Sequence, residues 1–223
     1  MKRLNLREWI VRVILLLVGL CIAHLGVTLF LQADLGSDPF NVFIQGIFRK
    51  VPWPEWLPVT HGRVHMAVSF LIIIVLLFVD RSYVRIGTLL CMFLGGPIID
   101  VYTFFLQDVL NSGSPMLLRV PMLALGCVIL AFGMTIVIKS EAGTGPNDLV
   151  AVVISDKIKK KFGIVRIIVD VCFAGIGFLL GGTLGLGTVI CAFLVGPTAQ
   201  LFLPISERIC GYFLKKTQLS KGD

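Results

Sequence analysis

The chain has 223 residues, 57% hydrophobic and 15% charged, with a mean hydropathy of +0.94 and a formal net charge of +7. An ordinary soluble domain is about 45–50% apolar and about 25% charged, so this composition excludes a water-soluble fold, which could not cover so much apolar surface. The basic excess does not indicate nucleic acid either, because its Lys and Arg cluster at the ends of apolar runs, where they set orientation and meet anionic lipid headgroups.

The first apolar run, 13–31, is broken only by His24 and follows Lys2, Arg3, Arg7 and Arg12. At about 1.5 Å per residue it crosses a hydrocarbon core of about 30 Å. It is too long for a signal peptide and no small-x-small cleavage site follows, so it reads as an uncleaved span. A short apolar stretch, 39–48, comes next, then a Pro-rich loop whose Trp53 and Trp56 belong at headgroup level. His61 and His65 flank Gly62 without a third ligand, a poor basis for a metal site. Further spans are predicted at 64–79, 86–106, 116–138, 167–180 and 184–203, with a second short stretch at 146–154. Basic residues follow that stretch (Lys157, Lys159, Lys160, Lys161, Arg166) and mark a tail over 206–223 (Arg208, Lys215, Lys216, Lys221). The expectation is an all-α fold, one polytopic transmembrane helical bundle with six full spans and two short helices initiated by Gly and Pro. Its N- and C-termini are expected in the cytoplasm of a bacterial cell, the bundle in its inner membrane. The six cysteines, with no CxxC pair, read as small core residues. No cofactor or metal is expected.

The chain also matches itself. A shift of 107 pairs Arg12 with Arg119, Gly19 with Gly126, Gly26 with Gly133, Asp34 with Glu141, Gly36 with Gly143, Ser37 with Thr144 and Pro39 with Pro146. A shift of 100 pairs Gly87-Thr88 with Gly187-Thr188, Cys91 with Cys191 and Gly96-Pro97 with Gly196-Pro197. Two homologous repeats are therefore expected, about 8–106 and 115–205. If the short helices cross the membrane the halves are parallel, and if they re-enter the halves are inverted. Sorting the basic residues by side does not separate these arrangements. Basic residues before the first span and after the short helix in both halves lean toward parallel ones.

The sharpest motif follows the first span of each half: Asp34-Leu35-Gly36-Ser37-Asp38-Pro39-Phe40-Asn41 and Glu141-Ala142-Gly143-Thr144-Gly145-Pro146-Asn147-Asp148. Glycine permits a sharp turn, Ser, Thr or Asp accepts from free backbone N–H groups, and Pro is preset for the first helical position. Each reads as a break and a helix start whose free N–H groups suit an anion or polar solute. A plainer reading is two surface caps beside the headgroups. Matching short segments broken by Gly and Pro are nevertheless a sequence pointer to a transporter site. Inside the spans, Asp100 follows Gly96-Pro97 as Gln200 follows Gly196-Pro197, and Asp170 matches Ser69 at a shift of 101. A charge at bilayer depth costs at least about 2.5–3.5 kcal/mol and faces a partner or a wet cavity. A structural hydrogen bond to a neighbouring helix explains any one of these residues as well, and His24, opposite Ala131, reads as structural. Pro39, Pro146, Gly96, Pro97, Gly196 and Pro197 are expected to shape turns.

The paired turns, and the repeated Gly-Thr-x-x-Cys-x-Phe-Leu-x-Gly-Pro segment beginning at Gly87 and at Gly187, resemble the YczE/YyaS/YitT group of bacterial membrane proteins. The resemblance covers about residues 8–205. It implies a multispanning membrane protein and no particular chemistry, and the basic tail after Leu203 leads to the expectation that the soluble C-terminal domain of longer YitT-type members is not part of this protein. The function expected is a small-solute transporter or permease, using both turns with Asp100, Asp170 and Gln200 around one cavity. The rival is a non-transporting accessory or regulatory protein that acts through a membrane partner or as a homo-oligomer. No nucleophile or metal constellation suggests an enzyme.

Overall fold

The computed structural model describes residues 6–36, 38–54, 59, 61–106 and 115–219. Expectations placed on Lys2, Arg3, Ser37, Trp56 and Lys221, and on the side chains of His61 and Asp100, lie outside the described residues. Among the described residues the secondary structure is helical: α1 Leu6–Gln32, α2 Pro39–Lys50, α3 His61–Val79, α4 Ile86–Leu106, α5 Met116–Lys139, α6 Pro146–Ile158, α7 Phe162–Leu179 and α8 Leu186–Leu219. Helices α1, α4, α5, α7 and α8 are long and apolar enough to cross a membrane, and the 63–79 stretch of α3 is a shorter apolar helix. The fold is an α-helical membrane bundle. Large side chains such as Phe70, Phe78, Phe93, Leu117 and Leu201 point outward, as helices facing lipid allow.

The centre of the bundle is the crossing of α1 and α5. A Cβ on Gly26 would lie 2.4 Å from Leu130 N and 2.5 Å from Gly126 O, and one on Gly133 only 2.2 Å from Ala23 N. Gly19 meets Gly133 and Val137 in the same way. The backbones therefore touch along a glycine seam, the close approach that substitutes for hydrophobic driving force between helices in lipid. Because Gly19 faces Gly133 while Gly26 faces Gly126, the two helices run antiparallel. The charge pattern, which leaned toward parallel halves, misleads for a specific reason. Arg12 pairs with Glu8 and Glu141, and Arg119 donates to the Ala33 and Asp34 carbonyls with the Asp34 carboxylate 3.7 Å away. Each arginine thus ties the start of one long helix to the turn that ends the other, and so does not report a membrane side.

This crossing defines two faces of the bundle. Helices α1 and α4 begin at the first face, where Gly87 N–H donates to Ala142 O at 2.9 Å. Helix α8 begins at the second, where Gly187 N–H donates to Leu35 O at 2.8 Å. Helix α2 ends at the second face, with Arg49 donating to Gly181 O at 2.8 Å just before α8. Helix α6 ends at the first, its Lys157 3.9 Å from Asp80 and its Asp156 3.2 Å from the Tyr83 hydroxyl. With 12 and 13 residues, α2 and α6 reach about 18–20 Å, less than the roughly 30 Å of a hydrocarbon core.

Gly96-Pro97 and Gly196-Pro197, expected as turns, lie inside α4 and α8, which continue through them. In a membrane bundle neighbouring groups satisfy what proline removes, so helices tolerate it. Gly196 instead lets α8 approach α7: its Cβ would lie 2.5 Å from Gly163 O. Residues 206–219 continue α8 and pack on α5 through Ser206–Thr135 (2.8 Å), Lys139–Glu207 and Cys210. At the far end of α6, exposed Lys159 is left-handed, with φ 53° and ψ 40°, where a side chain costs about 1 kcal/mol. Lys159→Gly is accordingly expected to stabilise the fold by about that amount, measured as a raised unfolding temperature in detergent.

Candidate functional site

The two Gly-Pro turns do not surround one cavity. Their antiparallel parent helices place the Asp34/Gly36 turn at the second face and the Glu141/Gly143 turn at the first. Locally they are built alike. Asp34 and Glu141 adopt φ of 47° and 57°, and Gly36 and Gly143 φ of 132° and 143°, values that only glycine adopts without strain. Gly36 packs on Gly185 and Thr188 of the α8 start, and Gly143 on Gly87 and Thr88 of the α4 start, with backbone contacts under 3 Å for an added Cβ.

What does converge is the beginning of each short helix. At α2, the Asp38 carboxylate accepts from Asn41 N–H at 3.1 Å and from the Asn41 amide, capping the helix with its own side chains. Pro39 follows as first helical residue, and the Phe40 ring packs edge-on against His65 and Phe173 at 5.3 and 5.2 Å. At α6, Gly145 stands where Asp38 stands in α2, and the helix has no side-chain cap. Its Asp148 pairs with Arg166 of α7, which also donates from Nε to Asp170 Oδ2 at 2.9 Å. The three side chains are 19%, 9% and 2% exposed. The starts of both short helices thus lie against α7, α2 through Phe40 on Phe173 and α6 through Asp148 on Arg166. One guanidinium serves two carboxylates, leaving one net negative charge in a segment where an unpaired charge is expensive.

Arg166 escaped the sequence reading, which placed it at the end of a basic run. The available signal was its spacing: Arg166 and Asp170 stand four apart in an apolar helix, so they share a face. Gln200 belongs elsewhere, accepting from Gly163 N–H at 3.0 Å and tying the start of α7 to α8. His24 is structural, its Nδ1 2.8 Å from Leu20 O and its ring against Gly95 of α4.

Beside the α6 start lies a cavity of about 440 Å³ at the first face. Its walls include Tyr83, Arg85, Lys139, Glu141, Thr144 and Asp156. Arg85 donates to Glu141 O and Lys139 pairs with Glu207. On the connecting loop, the Ser82 hydroxyl and N–H, followed by Lys157, hold the Asp80 carboxyl below its usual value. Partial burial, then the facing Asp156 carboxylate, pushes the Tyr83 phenol up. Thr144 is 4% exposed, and among the described residues its hydroxyl has no hydrogen-bond partner.

A family described as "Family of unknown function (DUF6198)" matches residues 10–204. The chain is 25% identical over 201 residues to "Uncharacterized protein YyaS" of Bacillus subtilis (strain 168), covering 90% of this chain and 95% of that one. It is 26% identical over 208 residues to "Uncharacterized membrane protein YczE" of the same organism, covering 92% of each. An uncharacterised Haemophilus influenzae protein is 28% identical over 199 residues, 87% of this chain and 84% of its own length. The resemblance carried by the two turns therefore holds for YczE and YyaS over nearly the whole chain. No solved structure matches significantly.

Proposed function

We propose that this chain, which belongs to the DUF6198 family of unknown function and is a multispanning membrane protein, is a small-solute transporter or permease of the bacterial inner membrane. The observation that carries the reading is the buried Asp148–Arg166–Asp170 cluster at the start of α6. Its net negative charge at bilayer depth is costly for a scaffold, and a polar or ionic passenger offsets the cost. Two short helices starting inside the bundle and ending at opposite faces supply the broken-helix geometry of secondary transporters. The reciprocal contacts of Arg12 with Glu141 and Arg119 with Asp34 support a doubled unit in inverted orientation. Six spans and two re-entrant helices follow from that arrangement. The first face is cytoplasmic in this reading, because Lys157, Lys159, Lys160 and Lys161 and the end of α8 lie there.

Proteoliposomes on a solid-supported membrane, challenged with a panel of small solutes, test it. Solute-evoked current is expected for the native chain. In Asp170→Asn it should fall about tenfold or more, the effect of about 1.4 kcal/mol on the barrier, with the fold retained. Equal currents from both proteins remove the site from the route. A silent protein that copurifies with a membrane partner favours the accessory role.

A further inference from the structure

We propose that α3 and α4 open and close against each other along a seam built on Gly62 and Gly96, with Asp100 as its catch. The inference rests on the inverted doubled unit of the proposed function and supplies the moving part that a transporter needs.

The two halves hold matching seams in different arrangements. In the second half α7 and α8 touch: a Cβ on Gly163 would lie 2.6 Å from Gly196 O, and one on Gly196 2.5 Å from Gly163 O and 3.0 Å from Ile167 Cγ1. Gln200, one turn beyond Gly196, accepts from Gly163 N–H at 3.0 Å and pins the start of α7 to α8. The first half carries Gly62 in the place of Gly163, Met66 for Ile167, Gly96 for Gly196 and Asp100 for Gln200. Yet Gly196 is buried and Gly96 exposed, and among the described residues nothing comes within 4 Å of a Cβ on Gly96. Met66 is 50% exposed, whereas Ile167 is half-buried. An open face thus stands where the counterpart has backbone contact, the kind of approach for which helices in lipid keep glycine.

The fixed points of both helices say which ends move. Helix α3 is held at its end, where Leu76 packs with Leu149 and Val153 of α6. The places of Leu76 and Val153 are taken in the other half by Gly177 and Gly46, whose backbones touch, so α3 stays a side chain away from α6 there and can pivot. Helix α4 is held at its start, where Gly87 N–H donates to Ala142 O and Gly143 packs on Thr88, and as far as Gly95 on His24. Pro97 follows directly, and without an N–H it leaves the Phe93 carbonyl lacking its helical donor, a bending point where the anchored part ends. The free ends, the start of α3 and the last turns of α4, both lie toward the second face. Asp100 is one turn beyond Gly96 and so shares its face of α4. A carboxylate inside a span needs a partner, and a helix start offers N–H groups at the positive end of its dipole, so Asp100 on the start of α3 does in the closed seam what Gln200 does on α7.

The test is pulsed electron-spin distance measurement on the chain in lipid nanodiscs, with labels on a genetically encoded keto amino acid so that the native cysteines stay. One pair is placed at Ala67 and Val101, the other at their counterparts Ile168 and Leu201, all exposed. The second pair is expected to give one distance, and the first pair two, the shorter matching the second pair. A single distance for the first pair overturns the movement. Gly96→Leu fills the seam and should abolish the shorter distance while the melting temperature holds, whereas Gly196→Leu should melt earlier; a shorter distance that persists in Gly96→Leu overturns the seam. Asp100→Leu should lower the ratio of short to long about tenfold, the worth of a hydrogen bond to a charged group, and Asp100→Gln should keep it. An unchanged ratio in Asp100→Leu overturns the catch. Two distances without solute-evoked current would count against transport alone, and current with one fixed distance would count against this movement alone.

Discussion

Arg166→Met is expected to destabilise the protein by about 3–5 kcal/mol, because it leaves Asp148 and Asp170 facing each other in the bundle with no counter-charge. The readout is the thermal unfolding midpoint in mild detergent together with the yield of folded protein from membranes. The informative companion is the triple variant Asp148→Asn, Arg166→Met, Asp170→Asn. Removing all members of a buried charge cluster is often neutral or stabilising, since it also removes their desolvation penalty. The triple variant is therefore expected to fold with near-native stability and to lose solute-evoked current. If the triple variant stays as unstable as Arg166→Met, the cluster acts through specific packing. If it folds and still transports, the charges have no part in the route.

The second large effect is expected at the crossing of α1 and α5. Gly133→Leu would drive a side chain into the Ala23 backbone, whose nitrogen stands 2.2 Å from the first added carbon, and the helices must part along their length. Overpacking of this kind costs about 3 kcal/mol, and lost backbone contact along the seam adds to it. The matched control is Gly175→Leu on the exposed side of α7, where an added Cβ meets nothing within 4 Å. Near-native melting of Gly175→Leu beside a collapsed Gly133→Leu identifies backbone approach, and not helix propensity, as the cause. Equal losses in the two variants would refute it.

Much of the candidate site was legible in the chain. Asp38, Asn41, Asp148 and Asp170 stood out because a polar side chain in apolar surroundings is conspicuous, and the Gly-Pro turns announced where helices break and restart. Arg166 was hidden by its sequence neighbours, Lys159, Lys160 and Lys161, which give it the look of a flanking charge. The contact made by Gln200 was not legible, because sequence correspondence with Asp100 gives no rotational position on α8, and that position turns it toward the Gly163 N–H.

Composition and apolar length alone determined that this is a membrane helical bundle and where its helices break, since both depend on the transfer of local segments from water to hydrocarbon. The direction in which α1 meets α5 was decided only in three dimensions, by which glycines face each other across the seam. That choice sent the two turns to opposite faces and brought the starts of the short helices against α7, with Asp148 of α6 on Arg166 and Phe40 of α2 on Phe173. Pairing across a bundle depends on distances between segments more than a hundred residues apart, and no local pattern encodes them.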